Sequence, residues 1–277
     1  MNYSEILSRH GFTFSKAKGQ NFIINPGVCP RMAALSGATK ADGILEIGPG
    51  AGALTRTLSG VAGKVVAVEL DARLLPVLGE TLADLDNVTI IQGDIMQLDL
   101  PALLEEHFGT MPVHVCANLP YYITSPILMR LLEGKLPFVN ITVMAQKEAA
   151  DRLCAPMGTR SCGAVTAAVA YYAEARQLFS VSRGSFFPAP NVDSAVLQLT
   201  PRREPPVDVP DEAFFFRVIR AAFNQRRKTA ANAISAGLCL DKSVVITAMA
   251  RAHIPSESRA ENLTLEDYAC LSRELML

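Results

Sequence analysis

The stretch Ile44-Leu45-Glu46-Ile47-Gly48-Pro49-Gly50-Ala51-Gly52-Ala53-Leu54-Thr55 constrains this chain more than any other. A short apolar run stops at three alternating glycines, and a helical pattern starts at once. That is a buried strand, a tight turn and a helix N-terminus, the opening unit of an open α/β sheet. Glycines there let the backbone bend sharply and let a ligand lie against bare peptide, which makes Gly48 and Gly50 candidate ligand contacts. The next apolar run, Val65-Val66-Ala67-Val68, ends in Glu69, about twenty residues on, where nucleotide folds place a carboxylate that accepts from ribose hydroxyls.

The spacing is not that of a dinucleotide fingerprint, G-x-G-x-x-G. The third glycine comes one residue early, and a carboxylate, Glu46, stands two residues before the first. This variant suits a ligand with a ribose and no pyrophosphate, such as S-adenosylmethionine, and points to a methyltransferase. A nucleotide-binding oxidoreductase and a merely structural turn are the other readings of the motif taken alone.

Downstream, Val88-Thr89-Ile90-Ile91 reads as a strand running into Gly93-Asp94. A carboxylate just past a strand's C-terminal end faces the ligand crevice of such a sheet, so Asp94 is either an acceptor for an adenine amino group or an ordinary helix cap. Val113-His114-Val115-Cys116-Ala117 is a further strand, and it delivers Asn118-Leu119-Pro120-Tyr121. This places an amide, a stiff turn and an aromatic ring at the mouth of the crevice. Adenine N6 is a poor nucleophile because its lone pair is delocalised into the ring. Acceptors that take both N–H bonds can hold that amine facing a methyl donor, while Tyr121 stacks on the base for roughly 1–3 kcal/mol. Strands at Val139–Met144, Gln177–Val181 and Ala195–Leu199 bring the expected sheet to seven. Between the last two lies Ser185-Phe186-Phe187-Pro188-Ala189-Pro190-Asn191-Val192-Asp193-Ser194, an extended loop by its two prolines. Its phenylalanines are core residues on their own. Beside an Asn-Leu-Pro-Tyr site one of them becomes a candidate second face of a base sandwich.

The Pro-rich segment Pro201–Pro210 reads as a linker. The expected organisation is therefore residues 1–203 as a Rossmann-like class I methyltransferase domain with an N-terminal arm, and 204–277 as a small all-α domain. That second part carries Arg217, Arg220, Arg226, Arg227 and Lys228 with no acid between Ala213 and Leu240, in a chain of net charge −1. Such a cluster reads as a phosphate-binding edge rather than a solvated face. In the N-terminal arm, Lys16 and Lys18 precede Gly19-Gln20-Asn21-Phe22. The arm reads equally as a structural cover and as a cofactor lid whose basic end faces a polyanion.

No apolar run approaches the ~20 residues of a membrane span, and the N-terminus lacks the basic start and apolar core of a secretory signal. The six cysteines form no C-x-x-C pair and none has metal-ligand spacing with a histidine. The expectation is free buried thiols in a reducing cytoplasm and no metal site.

Taken together, these stretches resemble the KsgA family, the small-subunit ribosomal RNA adenine N6,N6-dimethyltransferases, nearly end to end. The resemblance rests on Gly19-Gln20-Asn21-Phe22, Glu46-Ile47-Gly48-Pro49-Gly50, Val68-Glu69-Leu70-Asp71, Gly93-Asp94, Asn118-Leu119-Pro120-Tyr121 and Gln146-Lys147-Glu148. It continues through Phe186–Ser194, Phe223-Asn224-Gln225-Arg226-Arg227-Lys228 and Arg259-Ala260-Glu261-Asn262-Leu263. It implies that Asn21, Ile23, Gly48, Glu69, Asp94 and Asn118 contact S-adenosylmethionine, and that Asn118 and nearby main-chain carbonyls orient the substrate amine. Tyr121 and Phe186 would sandwich the flipped base, Phe186 fitting the family's F-x-P-x-P spacing with Phe187 adjacent. The implied substrate is two neighbouring adenosines near the 3′ end of 16S rRNA in a maturing small subunit, with Lys16, Lys18, Arg220, Arg226, Arg227 and Lys228 toward the RNA and the enzyme a cytoplasmic monomer. The alternatives are a 23S rRNA adenine methyltransferase of the macrolide-resistance type and a ribosome-assembly factor that no longer needs catalysis. This chain departs from the family pattern at Tyr122, where Asn is common, at Asn191, which replaces a frequent lysine, and at Ser161-Cys162-Gly163, which replaces a more usual Tyr-Gly pair.

Overall fold

The computed structural model describes residues 2–13 and 21–277. Helix α1 (Tyr3–Arg9) is followed by the short strand β1 (Phe22–Ile23) and α2 (Val28–Leu35). Strands and helices then alternate through β2 (Gly43–Ile47), α3 (Ala53–Val61), β3 (Lys64–Glu69), α4 (Leu75–Thr81), β4 (Val88–Gln92), α5 (Leu100–Phe108), β5 (Val113–Asn118), α6 (Thr124–Glu133) and β6 (Phe138–Gln146). Alternation of this kind forces parallel pairing, because each helix carries the chain back to the same end of the sheet. Helices cover both faces, so the strands are rich in buried apolar residues; every residue of β2 is buried, Glu46 among them.

Helices α7 (Lys147–Leu153) and α8 (Ala164–Tyr172) lead into β7 (Ala173–Val181), the two-residue β8 (Phe186–Phe187) and β9 (Ser194–Pro201). The main sheet has seven strands in the order β4-β3-β2-β5-β6-β9-β7. β9 runs antiparallel to β6, with Val143 opposite Leu197. The strand order reverses between β2 and β5, which pair in parallel with Glu46 opposite Cys116. An open α/β sheet binds its ligand at that switch point, beyond the carboxyl ends of the two strands. In this chain those ends are Ile47 and Asn118. A second, two-stranded sheet pairs β1 with β8 and sets Phe22 opposite Phe187 and Ile23 opposite Phe186.

The remaining helices are α9 (Glu212–Phe223), α10 (Ala230–Leu238), α11 (Lys242–Arg251) and α12 (Leu265–Glu274). The chain divides into one unit of residues 1–150 with 176–201 and another of 151–175 with 202–277. The expected boundary at 203/204 lies beside the second crossing, but 151–175 group with the helical part rather than with the sheet. Aromatic packing accounts for this. Tyr171 of α8 lies 5.4 Å from Phe215 and 5.2 Å from Phe216, ring centre to ring centre, and the Tyr172 hydroxyl donates to Glu212 at 2.6 Å. All six cysteines are free thiols; Cys29, Cys116 and Cys162 are buried, whereas Cys239 is exposed.

Candidate active site at the switch point

Three alternating glycines make the turn. Gly48, Gly50 and Gly52 have φ of +70°, +59° and +90°, a region that costs a side-chain-bearing residue energy. At Gly50 a Cβ would also stand 2.8 Å from Phe22 Cε1. At Gly48 a Cβ would meet nothing within 4 Å, so the bare peptide there borders open space. That space is a cavity lined by the turn, by Asn21 and Ile23 of the first segment, and by Glu69, Asp94 and Asn118. Leu119, Pro120 and Tyr121 line it as well. Strand ends far apart in the sequence thus deliver the expected residues to one place.

Glu69 is held as an acceptor. Its Oε1 takes the Asp71 N–H at 2.7 Å and its Oε2 takes the Gly50 N–H at 3.2 Å. Each oxygen retains a lone pair for a ligand hydroxyl. Burial raises this carboxyl above its ordinary range, against the two N–H bonds, which pull it down. The Asp71 carboxylate beside it is clamped by Arg73 at 2.6 Å, and the Arg73 guanidinium lies 5.0 Å over the Phe12 ring. Asp94 Oδ1 accepts from Met96 N at 2.9 Å as a turn cap, and the residue also lines the cavity.

Asn118 is oriented by one hydrogen bond. Its Nδ2 donates to the main-chain carbonyl of Asn21 at 3.2 Å, which leaves Oδ1 as the acceptor. The Pro120 carbonyl is already taken by Ile123 N and Thr124 Oγ1, both at 3.1 Å, so it closes the turn. The Leu119 carbonyl, on the residue after Asn118, accepts no hydrogen bond among the described residues. The Tyr121 hydroxyl meets Ser194 Oγ at 2.6 Å, and burial raises its phenol above the usual value. That bond fixes the ring plane.

The structure corrects the choice of phenylalanine. Phe186 is 2 % exposed and packs in the core with Met32, Phe179 and Val196. Phe187 is 48 % exposed and lines the cavity. Successive residues of a strand point to opposite faces, so pairing Phe187 with Phe22 turns one ring toward the crevice and the other into the core.

Tyr122, which the resemblance places near the substrate with a bearing on RNA affinity, and Glu46, notable in the sequence only for standing ahead of the first glycine, also line the cavity. Tyr122 follows the Asn-Leu-Pro-Tyr set and is 61 % exposed. Glu46 is buried, and its Oε2 has no hydrogen-bond partner among the described residues. Burial pushes its carboxyl up to about 8, with Glu69 nearby adding to the shift and Thr55 opposing it. The carboxylate ahead of the first glycine was the available signal for Glu46.

Of the expected RNA contacts, Lys16 and Lys18 lie outside the described residues. In the helical unit, Arg220 and Arg226 line a separate groove with Arg152 and Arg217, and Arg227 and Lys228 are exposed nearby in sequence. Arg226 is not the uncompensated cation that the local sequence implies. Its Nη2 donates to the carbonyls of Arg160 at 2.9 Å and Cys162 at 3.2 Å and lies 3.7 Å from Glu261. Among the described residues no cluster of His, Cys, Asp and Glu could hold a metal ion, and no helix is long and apolar enough to cross a membrane.

This arrangement has known counterparts. A family model described as ribosomal RNA adenine dimethylase matches residues 11–276. A protein of Bacillus licheniformis named Ribosomal RNA small subunit methyltransferase A is 46 % identical over 99 % of this chain and 96 % of its own length. The protein of the same name in Geobacillus thermodenitrificans is 47 % identical over 98 % of this chain and 94 % of its own. Among solved structures, a dimethyladenosine transferase from Plasmodium falciparum superposes with a TM-score of 0.74 at 24 % identity, covering 90 % of this chain and 95 % of that one. The 23S rRNA methyltransferase ErmE superposes at 0.70, also with 24 % identity, covering 93 % and 100 %. These two share the fold. The full-length match to the family model and the relatives at nearly half identity go further: this chain belongs to the ribosomal RNA adenine dimethylases.

Proposed function

We infer that this chain is an S-adenosylmethionine-dependent enzyme that dimethylates N6 of two adjacent adenosines near the 3′ end of 16S rRNA, within a maturing small ribosomal subunit. The observation that carries the reading is the convergence of Glu69, Asp94 and Asn118 on one cavity bordered by the bare peptide of Gly48. The small subunit is the one named for the relatives at 46 % and 47 % identity. A cytoplasmic monomer is part of the proposal.

The cavity fits the cofactor. Glu69 supplies acceptors for two ribose hydroxyls, Asp94 Oδ2 one for the adenine amine, and the glycine turn an unobstructed peptide edge. Ile23 and Asn21 line the same cavity. When bound, S-adenosylmethionine supplies a methyl group made electrophilic by its positive sulfur. What remains for the protein is position. Asn118 Oδ1 and the Leu119 carbonyl accept the two N–H bonds of the substrate amine and so turn its lone pair toward the methyl group. Tyr121 and Phe187 offer aromatic faces to the unstacked base; unstacking costs a few kcal/mol, and each stacked face returns roughly 1–3 kcal/mol. Fixing two reactants in this way lowers the barrier without a covalent intermediate or a strong base. The proton leaves the amine only as its nitrogen becomes cationic, and water suffices to take it.

The test is transfer of labelled methyl groups to small and large ribosomal subunits that lack the modification. Label confined to the small subunit is the expected result. Label in the large subunit would contradict the assignment of substrate.

A further inference from the structure

Tyr121 and Tyr122 are consecutive in a single 3₁₀ turn, Tyr121–Ile123. With three residues per turn, neighbouring side chains diverge by about 120°. The two rings therefore cannot lie on one base. Tyr121 points inward, tethered to Ser194, and serves the base in the crevice. Tyr122 points out at the rim, 61 % exposed, and still lines the same cavity. Among the described residues the largely exposed aromatic rings are Tyr122 and Phe187, and both stand at this mouth, beside the exposed apolar side chains of Ile24 and Leu70. An aromatic ring left in water at the entrance of a base-binding crevice is an unused stacking surface, since exposing it forgoes the burial that a ring of this size normally finds.

Resting on the proposed substrate, the geometry points to Tyr122 as a second base platform: it stacks on the nucleotide adjoining the one held in the crevice. When one adenosine of the pair is inserted, its neighbour is the next base along the strand, and it emerges where Tyr122 stands. A purine such as adenine offers the phenol ring a large π-face. Because the strand has a direction, the ring meets the other adenosine of the pair in one of the two insertions and the flanking nucleotide in the other. Stacking of this kind is sequence-tolerant and acts on the bound substrate and the transition state alike, so it sets affinity for the RNA rather than the rate of the chemical step.

The experiment is steady-state methyl transfer to undermethylated small subunits by the full chain and by Tyr122→Phe, Tyr122→Ala and Tyr122→Asn, with cofactor affinity measured on each. Expected are a KM for the subunit raised about tenfold or more in Tyr122→Ala and Tyr122→Asn, a kcat within about twofold of the parent, Tyr122→Phe near the parent, and unchanged cofactor affinity. An unmoved KM in Tyr122→Ala, with the parent active, would overturn the platform and leave the function standing. A loss of cofactor affinity with an unmoved KM would assign the ring to the cofactor and overturn it too. A parent that methylates no small subunit would overturn the function and the platform together.

Discussion

The side-chain amide of Asn118, at the end of a central strand, donates to the main-chain carbonyl of Asn21 at 3.2 Å. This bond joins the segment that leads into β1 to the switch point of the main sheet, and it decides which end of the amide faces the substrate. In the proposed function the substrate amine is then met by Oδ1, an acceptor, rather than by a competing NH₂ group. Replacing Asn118 by Ala is expected to lower kcat by roughly 10²–10³-fold, the scale of losing one positioned polar group, while RNA binding persists. Single-turnover transfer beside a filter-binding titration checks this; near-normal turnover would remove Asn118 from its role.

The two adjacent phenylalanines separate cleanly by experiment. Phe186→Ala removes a buried core ring and is expected to cost about 3–5 kcal/mol of stability. Phe187→Ala removes an exposed ring and is expected to leave the melting temperature within a few degrees while weakening methyl transfer. Thermal melts and transfer assays on both variants check the pair. The reverse pattern would return the base contact to Phe186.

Glu46 predicts a pH dependence of stability. Its folded carboxyl sits at about 8 because of burial, above the ordinary carboxylate range of about 4.3. Between those values the folded chain holds a proton that the unfolded chain has released, so stability falls as pH rises through the window. Glu46→Gln removes that loss. In the cofactor-free protein its melting temperature, relative to the parent, is expected to climb between pH 5 and pH 8, on the order of 2–4 °C for each kcal/mol relieved. A constant difference across that range would mean that Glu46 is ionised throughout.

The cations after α9 divide into two kinds. Arg226 bonds two carbonyls of its own unit and faces Glu261, so Arg226→Ala is expected to destabilise the helical unit. Arg227 and Lys228 are exposed, and replacing both is expected to weaken RNA binding and flatten its salt dependence by roughly 0.7–0.9 in log–log slope per lost phosphate contact. Binding isotherms across a salt series check this. An unchanged slope would place these two residues away from the RNA.

What could be read in advance followed from chemistry that is local in the chain. A strand that ends in alternating glycines, a carboxylate at the end of the next strand and Asn-Leu-Pro-Tyr after another each state their business within a few residues, and the parallel sheet then has to bring them together. Where the answer depends on partners far along the chain, the sequence was mute. Which of Phe186 and Phe187 faces the crevice is decided by their register against Phe22 and Ile23. The grouping of 151–175 with the helical unit is decided by Tyr171 and Tyr172 packing on α9. The counter-charge to Arg226 comes from Glu261, beyond the acid-free stretch that made the cluster look uncompensated. The insertion of β9 between β6 and β7 likewise follows from a pairing that no local pattern announces.

The most direct measurement of the whole account is mass-spectrometric mapping of the product after this chain has acted, with S-adenosylmethionine, on small subunits lacking the modification. The expected result is N6,N6-dimethyladenosine at two adjacent positions near the 3′ end of 16S rRNA, formed roughly 10²–10³-fold more slowly by Asn118→Ala. Methylation on another atom of the base, or at a site remote from the 3′ end, would contradict it.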